Sequence, residues 1–195
     1  MLLRGILVAA AFAMAVVSAS GSARAADPLT LSSSGFKDGE LLAVKMAGNL
    51  KTNPNCVGEN TSPALSWTNP PEGTKSFVVT CYDPEAPTAS GFWHWAVVDI
   101  PVNVTELARG AGDEQGSGLP SGAFQLRNDA GVRQHVGAAP PPGHGRHHYY
   151  YVVHAVDVES LGIDKNASPA FLGFNLFSHT LGRGMIIAWY EVPGG

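Results

Sequence analysis

Ser76-Phe-Val-Val-Thr-Cys-Tyr-Asp-Pro-Glu-Ala-Pro-Thr-Ala-Ser-Gly-Phe-Trp-His-Trp-Ala-Val-Val-Asp-Ile100 is the stretch on which the fold turns. Two β-branched and aromatic runs, Ser76–Tyr82 and Phe92–Ile100, flank a turn rich in proline, glycine and serine. That pattern reads as two strands joined by a loop. The runs at 76–82 and 95–100 are apolar on both faces, as is 149–156, which predicts central strands covered on both sides. Asp83, two prolines and His94 thus sit at the mouth of two buried strands. Strand-end loops on a rigid scaffold are where binding residues concentrate.

Outward from this stretch the same texture continues. Short β-rich segments separated by Gly/Pro/Asn clusters recur at 29–33, 41–46, 64–67, 123–126, 147–158 and 185–192. Residues 110–122 read as a Gly/Ser-rich loop, and Pro140-Pro-Pro142 stiffens another. Ser168-Pro169 predicts a capped helix start ahead of Phe171, Leu172, Phe174, Leu176, Phe177 and Leu181, with Gly182 as its stop. A short turn is expected at 157–161. The fold class is mostly β and antiparallel, with one or two short peripheral helices.

The first 25 residues read as a secretory signal. Arg4 precedes an apolar run over 6–17, and Ala23-Arg24-Ala25 fits a small-x-small cleavage site. A secreted or periplasmic chain starting near Ala26, folded as one domain over 26–195, is expected. Losing Arg4 and Arg24 from 12 basic residues leaves 10 against 16 acidic ones, a net charge of −6. Basic residues are scattered, so nucleic acid is not an expected partner. The rest of the sequence offers no membrane-spanning run. Three Asn-x-Ser/Thr sites, at Asn60, Asn103 and Asn166, matter only in a glycosylating host.

Cys56 and Cys81 have two readings. An oxidising compartment permits a bridge, which closes a loop with 24 intervening residues and stabilises by about 3–4 kcal/mol in the chain-entropy model. Alternatively they are separate thiols, with Cys81 packed in its strand.

A second loop, Gly137-Ala-Ala-Pro-Pro-Pro-Gly-His-Gly-Arg-His-His-Tyr149, completes the candidate site. If the loops meet, His94, His147 and Tyr149 offer donors suited to a small oxyanion. Asp83 then orients a histidine, accepts a ligand proton or faces a cationic headgroup.

Asp83-Pro-Glu-Ala-Pro87, the spacing to His94, and Gly143-His-Gly-Arg-His147-His-Tyr149 resemble the phosphatidylethanolamine-binding protein family, which includes the Raf kinase inhibitor proteins and a bacterial branch. Asn60-Thr-Ser-Pro63, Gly73-Thr-Lys-Ser-Phe77 and Arg127-Asn-Asp129 fall in the family's order, so the resemblance runs from about Leu29 to Tyr190. It implies an antiparallel β-sandwich with a pocket for phosphate-type anions or phosphoethanolamine headgroups. Carried over by position, the lining is Asp83, His94, Gly137, Pro140, His147 and Tyr149. Gly137 then allows close backbone approach, Pro140 keeps the loop pre-formed, and a cis bond is implied before Pro87. Glu85 stands in place of the usual aspartate, Ala138-Ala139 in place of a common Pro or Gly, and His148 in place of the arginine of His-Arg-Tyr.

The resulting expectation is non-catalytic binding of an anion or phospholipid headgroup, without a cofactor. Three alternatives compete. His144, His147 and His148 with His94 and Asp83 contain a two-histidine, one-carboxylate set for a metal. A hydrolase would need a nucleophile, for which Ser90 is the one candidate. A secreted protease inhibitor or regulatory protein-binding module rests on analogy with relatives.

Overall fold

The computed structural model describes residues 27–51, 53–54 and 56–195. The expected leader, 1–25, and its cleavage point lie outside these. Nine strands and one helix follow in order: β1 Thr30–Ser33, β2 Glu40–Leu41, β3 Leu65–Thr68, β4 Ser76–Asp83, β5 Phe92–Pro101, β6 Glu106–Leu107, β7 Phe124–Gln125, β8 His147–Val156, α1 Pro169–His179 and β9 Thr180–Tyr190. A 3₁₀ turn, Val44–Met46, occupies the second half of the strand expected at 41–46.

A six-stranded sheet, β2-β9-β8-β4-β5-β7, faces a three-stranded sheet, β1-β3-β6. Every pairing is antiparallel apart from β2 with β9. The central position of β4, between β5 and β8, explains its unbroken apolar sequence. Alternate residues of a strand point to opposite faces. Phe77, Val79 and Cys81 therefore pack into the sandwich with Leu31, Trp67, Trp95 and Tyr151. Across the sandwich the Trp67 and Phe77 rings meet edge to face at 5.3 Å. Val78 points the other way and joins Ala96, Val98 and Val156 under Leu172 and Leu176 of α1.

The helix starts where its sequence says. Ser168 Oγ accepts a hydrogen bond from Phe171 N at 3.1 Å and Pro169 occupies the first turn, which satisfies an otherwise orphaned donor. Its end differs from expectation. The chain passes from His179 directly into β9, so Gly182 lies inside a strand. Only Leu172 and Leu176 of the helical apolar run are buried, while Phe171, Phe174 and Phe177 face outward.

Two β-bulges in β5 bear on the site. Pairing shifts between Cys81↔Trp95 and Tyr82↔Trp93, so His94 is the extra residue of a bulge. Bulges of this kind bend the strand and re-aim the side chain. The second bulge, between Phe77↔Ile100 and Val79↔Val97, carries Asp99 with φ 58°. Its carboxylate accepts from Leu161 N and Ser160 Oγ.

One open alternative is decided and one implied feature is corrected. Cys56 and Cys81 are both free thiols. Cys81 is buried between the sheets, where burial raises its pKa well above the ordinary value, whereas Cys56 lies in a partly exposed loop against Gly48. A thiol reagent on the native protein is expected to label one cysteine, Cys56, and to reach Cys81 only after unfolding, because the thiolate is the reactive form. Equal labelling rates would contradict the buried position. The corrected feature is the bond before Pro87: no cis peptide occurs among the described residues.

Candidate functional site

The site forms where β4 ends, β5 bulges and β8 begins. Asp83 closes β4, and its Oδ1 accepts from the backbone N–H groups of Glu85 at 2.9 Å and Ala86 at 3.0 Å. This Asx-type turn lets the chain leave the strand with no backbone donor wasted. The other oxygen, Oδ2, lies 2.8 Å from His147 Nδ1 and 3.9 Å from His94 Nε2. All three side chains are buried.

His94 is oriented from behind. Its Nδ1–H donates to the carbonyl of Val136 at 2.7 Å, which leaves Nε2 free to face the carboxylate. Position 136 is itself held by the loop above it. Asn128 donates through Nδ2 to the carbonyls of His94 and Gln134, and accepts through Oδ1 from Ala130 N and Val132 N. The sequence motif Arg127-Asn-Asp129 is thus the clamp of that loop, with Asp129 Oδ2 accepting from Trp93 N at 2.8 Å. Burial pushes the His94 imidazole down to about 4, with the Val136 hydrogen bond opposing and His135 reinforcing the shift. His94 is therefore neutral at neutral pH.

Tyr149 stands on β8 two residues beyond His147, so both point to the same face. Its ring meets the His94 ring edge to face at 5.0 Å. The hydroxyl is closed to solvent and forms no hydrogen bond of full geometry, with the Ala139 backbone and the Asp83 carboxylate nearby. Burial and the Asp83 carboxylate both raise its pKa, so it remains a protonated donor.

A cavity of about 400 Å³ opens over these groups, and Asp83, His94, Gly137, Pro140, His147 and Tyr149 all contribute to its walls. Gly137 has a further task. A Cβ there would lie 2.3 Å from both Met46 O and Ala47 C. Its N–H donates to Asn60 Oδ1 at 3.0 Å, so the glycine lets two backbones touch and its donor is spent inside the protein. Asn60 also accepts from Asn49 N through the same oxygen, giving Asn60-Thr-Ser-Pro63 its place beneath the cavity floor.

Outside the metal alternative, the sequence reads His144 as structural or solvent-exposed. Its ring is exposed, yet Nδ1 lies 2.7 Å from His147 Nε2. Asp83, His147 and His144 therefore form a hydrogen-bonded line from a buried carboxylate to solvent. The i, i+3 spacing across Gly145 was the available signal. His148 and Glu85 also meet: Glu85 accepts from His148 N and from its ring Nδ1, each at 3.0 Å. Partial burial opposes ionisation of Glu85, but these bonds and the adjacent imidazole outweigh it and lower its pKa. Two of the three departures from the family pattern thus form one contact, in which a longer acid reaches a shorter base.

Ser90 is exposed and offers its carbonyl to the Tyr82 hydroxyl. His147 Nε2, where a nucleophile's hydroxyl would sit in a Ser-His-Asp arrangement, is bonded to His144 instead. Among the described residues no group of three or more His, Cys, Asp or Glu side chains is arranged to hold a metal ion.

A family model described as phosphatidylethanolamine-binding protein matches residues 32–191. The chain belongs to the phosphatidylethanolamine-binding protein family. Within it, the chain is 47% identical over 137 residues to the UPF0098 protein YbcL of Escherichia coli, covering 70% of this chain and 75% of that one. YbhB of the same organism is also 47% identical over 137 residues, covering 69% and 84%. The fold agrees with the crystal structure of E. coli YbcL at a TM-score of 0.81, with 43% identity over 85% of this chain and 99% of that one. A putative phosphatidylethanolamine-binding protein homologue from Chlamydia trachomatis follows at 0.69 with 26% identity, covering 84% and 97%. In this chain Asp83, His94, His147 and Tyr149 lie at the strand ends of the sandwich.

Proposed function

We propose that this family member binds a small phosphate-type anion or a phospholipid headgroup in the His94 cavity, without chemical turnover. The Tyr149 hydroxyl carries the reading. A buried polar group left without a partner costs up to about 1–3 kcal/mol; the Tyr149 hydroxyl lacks a well-formed hydrogen bond, and a ligand oxygen would supply one. The apolar walls supplied by Phe92, Pro140 and Pro141 exclude competing water. Asp83 supports the headgroup version, since a carboxylate repels a bare phosphate but welcomes an ammonium on the same ligand. The occupied Nε2 of His147 supports binding over hydrolysis. A secreted or periplasmic setting, read from residues 1–25, would bring such a pocket into contact with lipid headgroups and free phosphates.

Proton linkage gives the reading a sign. Neutral His94 presents a lone pair at Nε2, so donating to an anion requires a proton from solution or from the ligand. Affinity is therefore expected to rise as pH falls from about 6.5, the ordinary imidazole value, and to level near 4, the pKa of the unliganded group. The test is an NMR titration of the chain from Ala26 to Gly195 with inorganic phosphate and with phosphoethanolamine between pH 7.5 and 5.5. Saturable shifts at 83–94 and 137–149 are expected, tighter for phosphoethanolamine. His94→Ala should weaken binding about 10- to 100-fold, the loss of one charge-assisted hydrogen bond. No saturable shift at millimolar ligand would refute the reading, and flat affinity across that pH range would remove the proton from the mechanism.

A further inference from the structure

The six-stranded sheet has an outer face that α1 covers only in part. Val78, Ala96, Val98 and Val156 lie under the helix, but residues farther along the same strands on this face, including Tyr82, Trp93 and Tyr150, keep partial exposure. In the angle between α1 and the sheet lies a cleft of about 680 Å³. None of the six groups assigned to the His94 cavity belongs to it.

Its walls combine two kinds of chemistry. Leu172, Leu176 and Phe177 give one apolar side from the helix, and Thr180, Arg183 and His154 supply polar groups from β9 and β8. Arg183 and His154 are direct cross-strand partners in the register of β8 and β9, hence on one face. The arginine is exposed and forms no ion pair with a carboxylate among the described residues. Two atoms beside it, His154 Nδ1 and Thr180 Oγ1, are buried without a hydrogen-bond partner. Orphaned polar atoms are uncommon in folded proteins and each calls for an explanation. Here two of them line the same cleft as one unpaired guanidinium.

We propose that this cleft is a second ligand site, taking a small amphipathic organic acid whose carboxylate pairs with Arg183 and whose apolar body lies against Leu172, Leu176 and Phe177. A guanidinium fork matches a carboxylate with two parallel hydrogen bonds. The Thr180 hydroxyl, on β9 with Arg183, and the His154 ring, on the adjacent strand β8, add polar contacts. Burial and the Arg183 charge hold His154 down to about 4, so the imidazole is neutral and Arg183 supplies the local positive charge. One permanent cation suits a monoanion rather than a phosphate dianion. The volume and the apolar wall demand a hydrophobic body, which acetate or formate lacks.

The test uses 2-naphthoate and decanoate as probes of the aryl and alkyl versions, titrated into the chain from Ala26 to Gly195 and followed by NMR. Saturable shifts at 154, 173–183 and Trp93 are expected for at least one acid, and the acid that binds more tightly assigns the body. 2-Naphthylmethanol, which lacks the charge, should bind at least 10-fold more weakly than the naphthoate. Arg183→Gln should weaken the acid about 10-fold or more. Gly173→Leu is the second variant: a Cβ at this helical position meets nothing within 4 Å, and leucine favours the helix over glycine. It should fill the cleft and abolish binding while leaving the fold intact by circular dichroism. His94→Ala should change nothing, so failure here and failure of the anion cavity are distinguishable. Equal binding of alcohol and acid, binding that survives both Arg183→Gln and Gly173→Leu, or no saturable binding of either acid would overturn the proposal.

Discussion

Between pH 6.5 and 4 the protein should lose stability at about 3 kcal/mol per pH unit, the slope set by two protons taken up on unfolding. The protons belong to His94 and His135. Both are buried, and burial lowers each to about 4. His135 is locked as a neutral ring, with Nδ1 bonded to Asn60 O at 3.0 Å and Nε2 to the Tyr151 hydroxyl at 3.2 Å. An unfolded histidine takes its proton near 6.5. The folded-state value lies below that, so the contribution of these two rings is complete above pH 6.5, declines as pH falls, and is fully lost near pH 4. His154, also lowered to about 4 but only half-buried, adds a smaller share. Urea unfolding at half-unit pH steps measures the slope directly. His135→Gln, which retains a polar side chain but cannot take the proton, should reduce it by about 1.4 kcal/mol per pH unit, the equivalent of one proton. A stability curve that stays level down to pH 5 would show that these rings are not held neutral.

Gly137→Ala should be among the most damaging single methyl additions in the molecule. The added Cβ would fall 2.3 Å from Met46 O, 2.3 Å from Ala47 C and 2.4 Å from Ala47 O. These are backbone atoms with no rotamer to yield, so the two segments must separate. Separation strains the Ala47↔Ala138 bridge and the hydrogen bond from Gly137 N to Asn60. We expect a loss of about 3 kcal/mol or more, the upper range for overpacking, and a fall in Tm of about 10 °C. Gly173→Ala is the matched control, since its Cβ has open space; it should gain up to about 1 kcal/mol from helix propensity alone. Similar melting temperatures for the two variants would mean that the close approach at 137 is not required.

The contrast between these glycines shows what a linear sequence carries and what it does not. Asp83, His94, His147 and Tyr149 were legible because each sits at a strand end, where period-2 patterning and turn residues fix its position. The helix start was legible for the same local reason, a serine cap followed by proline. The helix end was not: Gly182 is a good stop residue, but pairing of β9 with β8 takes over at Thr180 and outweighs the local preference. The bulge at His94 was equally hidden, because an extra residue in one strand is defined only by its partner.

The sequence by itself determined most element types, the family and the residues proposed for the site, since these depend on periodicity, spacing and residue chemistry along one chain. Tertiary structure alone decided which of them touch. It kept Cys56 and Cys81 apart, joined Glu85 to His148, brought the surface residue His144 onto His147, and gave the Gly137 N–H to Asn60 rather than to a ligand. It also decided the protonation of His94, because desolvation depends on everything packed around a side chain and not on its neighbours in sequence.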